Sequence, residues 1–275
     1  MFRPIALAAS LVLTALPALA QEGRIPSHCH ALAQKAGLPF VHRAAYTDPV
    51  APDSVRISYI GHAAFLIQTE GGLNFITDYT GDQGGADLIP DVVTMNNAHV
   101  SHFTWSPDPD IPHVLEGWAN ADGERAYDLD LGEALIRNVH TDIRSNGGGN
   151  VVEDGNSIFV FEVAGLCIGH LGHLHHIPDA GQYAEIGRLD VVMAAVDGGT
   201  SLDTRSMLKV MERLRARVVI PMHWFGRFTL DRFMEGMQEG GYDVVDAGIG
   251  EITLSMDSLP TRPTVMLLQP GLMRE

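Results

Sequence analysis

Two cysteines in 275 residues, Cys29 and Cys167, are too few for a disulfide-built scaffold or a thiolate metal cluster, so the fold must rest on an apolar core. The pair either forms one bond or stands as two separate buried thiols. Basic residues are scarce as well: 18 Lys and Arg against 34 Asp and Glu leave a formal charge of −16, and the cations are scattered along the chain. That balance excludes nucleic acid and other large polyanions as expected partners. After residue 20 no stretch approaches the roughly 20 apolar residues that cross a bilayer, so no membrane span is expected in the mature chain. Internal repeats, low-complexity tracts and linkers are also missing. The expectation is one domain over residues 21–275, opened by an irregular segment at 21–52.

What is present begins with an export signal. Arg3 supplies a positive start, an apolar run follows from Ile5 to Leu16, and Ala18-Leu19-Ala20 offers a small-x-small cleavage site before Gln21. Residues 1–20 read as a signal peptide and place the mature protein in the periplasm or outside the cell. A hydrophobic content of 45% then suits an ordinary globular core.

Thirteen histidines are a surplus that needs a reason. Alternating apolar and polar residues mark strands at Val55 to Ile60, Ala64 to Ile67 and Leu73 to Asp78. Further strands end near Met95, Val139, Gly169 and Met222, and each hands over to histidine: His99 with His102, His140, His170 with His173, and His223. In sheets flanked by helices, the loops at strand carboxyl ends share one edge and build the site there. Imidazoles converging on one cavity make a metal site without thiolates. His28, His30, His42 and His113 lack such placement and read as surface residues, while His175 and His176 stay open. Residues 103–120 read as a surface loop or lid in which Trp105 and Trp118 either line a cleft or pin the loop. The Met and Leu stripe from Leu202 to Leu214 is a core-facing helix.

The segments ISYIGHAAFLIQTEGGLNFITD, PDVVTM, GLCIGHLGHLHH, DVVMAAVDGG and ARVVIPMHW span about residues 55–224. Together they resemble the metallo-β-lactamase superfamily and, within it, the ascorbate-phosphate lactonase-like branch of hydrolases. The resemblance implies an α/β fold, a four-layer αβ/βα sandwich, with a one- or two-metal centre, usually zinc, and hydrolysis by metal-activated water. The family's HxHxDH loop falls on residues 97–102, where Asn97 replaces its first histidine and Ser101 its aspartate. Its next ligand falls on His140, its bridging aspartate on His173 and its last histidine on His223.

The expected metal ligands are therefore His99, His102, His140, His173 and His223, with the pocket of His102, His173 and His223 dominant over that of Asn97, His99 and His140. Loss of the anionic ligands favours one ion over two, zinc first and iron or manganese as alternatives. His62, on the Gly61-His62-Ala63 turn, and Ser101 are the expected catalytic residues. Asp78 is placed to orient a ligand imidazole. The expected function is an exported metal-dependent hydrolase of a small ester, lactone, amide or phosphodiester. The alternatives are a non-hydrolytic metal-binding or accessory protein on the same fold, or a mononuclear iron or manganese redox protein.

Mass spectrometry of the exported protein should give a chain starting at or next to Gln21. An intact Met1 start on that material would contradict the signal-peptide reading.

Overall fold

The computed structural model describes residues 27–30, 45–120, 123, 125–145 and 150–273; the signal peptide and His42 lie outside them. The first half of the chain forms β1 (Ser54–Gly61), β2 (Ala64–Thr69), β3 (Asn74–Ile76), β4 (Val92–Met95) and β5 (His113–Glu116). Next come β6 (Asp128–Asp130), β7 (Ala134–Arg144), β8 (Val151–Val163), β9 (Leu166–His170), α1 (Ala180–Ile186) and β10 (Val191–Ala195). The chain continues through α2 (Thr204–Leu214), β11 (Val218–Met222), α3 (Arg227–Glu239), β12 (Asp243–Asp246), β13 (Glu251–Ser255) and β14 (Thr264–Leu267).

Strict alternation in β1 to β3 sends Val55, Ile57, Phe65, Ile67 and Phe75 to one face and Leu66 and Ile76 to the other. The strands assemble as two mixed sheets, ordered β13-β1-β2-β3-β4-β5 and β12-β14-β11-β10-β9-β8-β7-β6. Their facing surfaces close one core in which Ile57, Phe65 and Phe75 meet Phe161, Met193 and Ile220. This is the α/β sandwich that the resemblance implies. On the outer face of the second sheet, α2 and α3 bury Met207, Val210, Met211, Leu230, Phe233 and Met237 against Val192 and Val219. Asp203 starts α2 by accepting the Ser206 N–H, as an N-cap should. Among the described residues, the outer face of the first sheet is covered by loop residues such as Tyr46, Tyr79, Phe103 and Ile111 rather than by helices.

Parallel pairing decides where the chemistry can go. β9, β10 and β11 run parallel, so Leu171 to His176, Asp197 and His223 all leave the second sheet at one edge. β3 and β4 run parallel in the first sheet and deliver Asp78 and the loop at residues 97–102.

Three sequence expectations need correcting here. The strand placed at Ala134 to Val139 continues to Arg144 as β7, so His140 sits within a strand rather than at its end. Pairing with the long β8, in which His140 lies opposite Ser157, carries the strand through its polar stretch. The stretch 103–120, read as loop, contains β5 because its His113-Val-Leu-Glu segment adds to β4 as an edge strand. His113, read as a surface residue, is half-buried there.

Cys29 and Cys167 are bonded, tying the N-terminal segment to β9. The same junction is closed by the buried carboxylate of Glu162, which accepts from Ser27 Oγ, His28 N and Arg137 Nε at 2.6, 2.9 and 2.9 Å.

Cross-linking positions 138 residues apart restricts the unfolded chain strongly. Cys29→Ala should lower the free energy of unfolding by about 2–4 kcal/mol. A reductant should lower the melting temperature of the wild type and leave that of the variant unchanged; equal melting curves for wild type and variant would contradict the bond.

Candidate metal centre

The site is built on buried carboxylates. Asp78, fully buried just past β3, accepts the Asn96 N–H on Oδ1 at 3.0 Å and faces His102 Nδ1 with Oδ2 at 2.6 Å. Burial pushes the Asp78 carboxyl up to about 6, offset in part by His170 and the Asn96 N–H, so it is ionised at neutral pH. An ionised carboxylate only accepts, which places the His102 proton on Nδ1 and leaves Nε2 bare.

A parallel arrangement comes from the opposite sheet. His223 Nδ1 lies 2.9 Å from Asp197 Oδ2, at ion-pair distance though without an aligned hydrogen bond. Burial alone would raise the Asp197 carboxyl, but the His223 imidazole beside it and hydrogen bonds from the Ser201 and Gly199 N–H groups outweigh it and hold the group well below the usual range. The His223 proton therefore belongs on Nδ1. His102 Nε2 and His223 Nε2 then face each other at 3.1 Å with their lone pairs converging.

His62 completes the group. Its carbonyl is pinned by the His223 N–H at 2.6 Å and the Tyr59 hydroxyl at 2.7 Å, and its ring lies 4.0 Å from that of His223. One nitrogen from each of His62, His102 and His223 lies within 4.8 Å of the other two. His62 Nε2 is buried and has no hydrogen-bond partner. An orphaned nitrogen beside two opposed lone pairs is what a soft divalent cation satisfies, so the residues present fit a metal. Burial, with the neighbouring imidazoles, lowers His62 to about 4 and His102 to about 3, keeping both neutral as ligands must be.

The backbone is held in strain at these same residues. Asp78, His62 and His223 have φ of 43°, 53° and 57°, the left-handed region that costs side chains about 1–3 kcal/mol each. Gly172, at φ 58°, precedes His173 where a Cβ would come within 2.6 Å of both Asn96 and Asn156 side chains, so only glycine lets the β9 loop pass.

A cavity of about 690 Å³ is lined by His62 and His223 together with His99, Ser101, Arg144, His173 and Phe225, while His102 is fully buried. His99 is exposed with Nδ1 2.9 Å from Ser101 Oγ, and its ring stacks on His173 at 5.8 Å. The His173 ring lies 4.8 Å from His102 and 5.2 Å from His223 but outside the ligand-distance group. The structure thus brings His62, His99, Ser101, His102, His173 and His223 together.

His140 does not join them. Its Nε2 is 3.2 Å from Arg125 O and 3.3 Å from Asn138 Nδ2, and its Nδ1 is 3.4 Å from Ser157 Oγ. A residue inside a strand is aimed by the pleat, not by the sheet edge. Asn97 is buried and donates to Gly155 O at 2.6 Å, so the second pocket expected from Asn97, His99 and His140 is not assembled. Of the trio expected to dominate, His102 and His223 lie at ligand distance together with His62, and His173 lies outside that group. Asp197 was not singled out in the sequence, although it leaves β10 as His223 leaves β11, and the same strand-end rule applies to it. His170 is structural: Nε2 meets Ala63 O at 2.8 Å and Nδ1 meets Asn96 Nδ2 at 3.1 Å.

Comparison with known proteins gives the family and the fold. The model of the beta-lactamase superfamily domain matches residues 56–223. A metal-dependent hydrolase of Carboxydothermus hydrogenoformans is 28% identical over 193 residues, covering 62% of this chain and 84% of that protein. A crystal structure from Thermotoga maritima, described as a Zn-dependent hydrolase of the metallo-beta-lactamase superfamily, aligns with TM-score 0.55 and 25% identity over 78% of this chain and all of that one. A metallo hydrolase from Ignicoccus hospitalis aligns with TM-score 0.52 and 15% identity over 79% of this chain and 96% of that one, a likeness of fold.

A buried carboxylate with a raised pKa favours metal binding and opposes folding. In the folded state Asp78 holds its proton up to about 6, and unfolded it releases it near 3.8, so ionisation destabilises the metal-free fold above pH 4 and fully by pH 7. Asp78→Asn should therefore bind metal about 10–100-fold more weakly while its metal-free form melts higher than metal-free wild type at pH 7, the difference fading toward pH 4. Titration calorimetry and thermal melts check both; unchanged metal affinity would contradict the role given to Asp78.

Proposed function

The chain belongs to the β-lactamase superfamily, and from that premise we propose that it is an exported hydrolase that uses one metal ion, zinc, on a small anionic ester, lactone, amide or phosphodiester. The observation that carries this reading is the convergence of His62, His102 and His223 beneath a cavity of about 690 Å³, a size suited to a small molecule. Three neutral imidazoles suit zinc, and also iron or manganese, and leave a coordination position open. When bound, such an ion acidifies water toward pKa 7 and polarises a carbonyl or phosphoryl oxygen. His62, His102 and His223 would hold it, and Asp78 and Asp197 keep His102 and His223 in the tautomer that offers Nε2. His62 therefore moves from the proton-handling role expected of it to a metal-holding one.

The remaining cavity residues bind and move protons. His99, carrying Ser101 Oγ on its Nδ1, stands at the mouth as the pair that positions water and takes its proton. Phe225 packs over His62 and His223 at ring distances of 5.7 and 5.3 Å and shields that flank from solvent. Arg144 is a cation among the lining residues, which include no carboxylate, in a chain whose net charge is −16. That local reversal of charge favours an anionic substrate. Export is supported by the N-terminal signal and by the Cys29–Cys167 bond, which persists in an oxidising compartment. Among the described residues no helix is long and apolar enough to cross a membrane.

Chelation should abolish hydrolysis of activated carboxylic esters and phosphodiesters, and one equivalent of zinc should restore it. His223→Ala should remove both metal and turnover, and His140→Ala neither. A stoichiometric ion with no turnover across ester, lactone and phosphodiester panels would sink the hydrolase reading in favour of an accessory protein.

A further inference from the structure

His173 stands where the resemblance puts an anionic ligand, and the hydrogen bonds behind it give it a different task. A backbone N–H only donates, and that of Arg144 lies 2.9 Å from His175 Nδ1, with Arg144 Nε adding a longer contact at 3.5 Å. His175 Nδ1 is therefore an acceptor and carries no proton. An imidazole bare on one nitrogen keeps its proton on the other, so His175 Nε2 is an N–H. That nitrogen lies 2.7 Å from His173 Nδ1, which must accept in turn. By the same rule the His173 proton sits on Nε2.

A nitrogen that carries a proton has no lone pair for a metal. Ligation through Nε2 would require the whole relay to reverse, which would turn a His175 Nδ1–H against the Arg144 N–H at 2.9 Å. The ring is also fixed in place. The His173 backbone N–H donates to Asn156 Oδ1 at 2.8 Å and the ring's face stacks on His99 with an interplanar angle of 10°. His173 lines the cavity, and among the described residues no acceptor meets its Nε2. Arg144 also braces the loop that follows Asp197, since its guanidinium donates to the carbonyls of Gly199, Thr200 and Ser201.

We propose that His173 is not a metal ligand but a fixed hydrogen-bond donor in the cavity wall, offering its Nε2 proton to an anionic oxygen of the substrate, with His175 and the Arg144 N–H positioning it. The hydrolase reading enters only in naming that oxygen as the substrate's; the tautomer and the absence of ligation stand apart from it. The assignment also explains why histidine at this position coexists with a single assembled metal group.

The test uses metal-loaded protein labelled with 15N-histidine. Long-range 1H–15N correlation, with His173 identified by its loss in His173→Gln, should show a protonated Nε2 and a bare Nδ1. His173→Ala should keep the wild-type metal content while binding inorganic phosphate roughly tenfold more weakly, the loss of one hydrogen bond to a charged group. His173→Gln, which retains an N–H donor, should recover most of that affinity. A His173 protonated on Nδ1, or a His173→Ala protein that loses its metal, would overturn the assignment. None of these three readouts requires turnover, so failure of hydrolysis would count against the hydrolase reading alone.

Discussion

The structure depends on one unfavourable approach: His102 Nε2 and His223 Nε2 face each other at 3.1 Å with no proton assigned between them. Each is driven there by a carboxylate on its far side, Asp78 in one sheet and Asp197 in the other. A cation between the two nitrogens would turn that repulsion into binding. The two sheets supply the rigidity that this requires. Their shared core sets the separation of the strand ends, and the His223 N–H to His62 carbonyl bond ties the first sheet's turn to the second sheet's ligand.

The costs gather in the same place. Three left-handed residues, an ionised carboxylate in a dry interior and an orphaned imidazole nitrogen all lie within the cluster or directly behind it. A chain selected for stability alone would hold none of these. An extensive apolar core surrounds and holds them, and a bound ion would convert the strain into affinity. The protein's anionic excess has a local exception in the same region, where Arg144 and the histidines line a cavity with no carboxylate on its surface.

Much of this was legible in the sequence because strand ends are legible. Apolar runs closed by polar residues located β4, β9, β10 and β11, and parallel order puts His173 and His223 at one edge of the second sheet, whereas His102 arrives from the first sheet across the sandwich. His140 misled because the apolar signal of β7 stops at Val139, whereas the strand itself continues wherever β8 offers it a partner. Asp197 obeyed the strand-end rule but is an aspartate in an Asp-Gly-Gly turn, where a turn-forming role reads first. The protonation pattern of His173 and His175 could not be read at all. It begins at the backbone N–H of Arg144, 31 residues away, and no side-chain pattern reports a main-chain donor.

Anomalous diffraction from zinc-soaked crystals of the mature protein locates the bound ion directly. A single peak bonded to the Nε2 atoms of His102 and His223 with a nitrogen of His62, and with His173 outside bonding distance, is the result this account predicts. A peak ligated by His173, or two peaks drawing in His99 and His140, would contradict it.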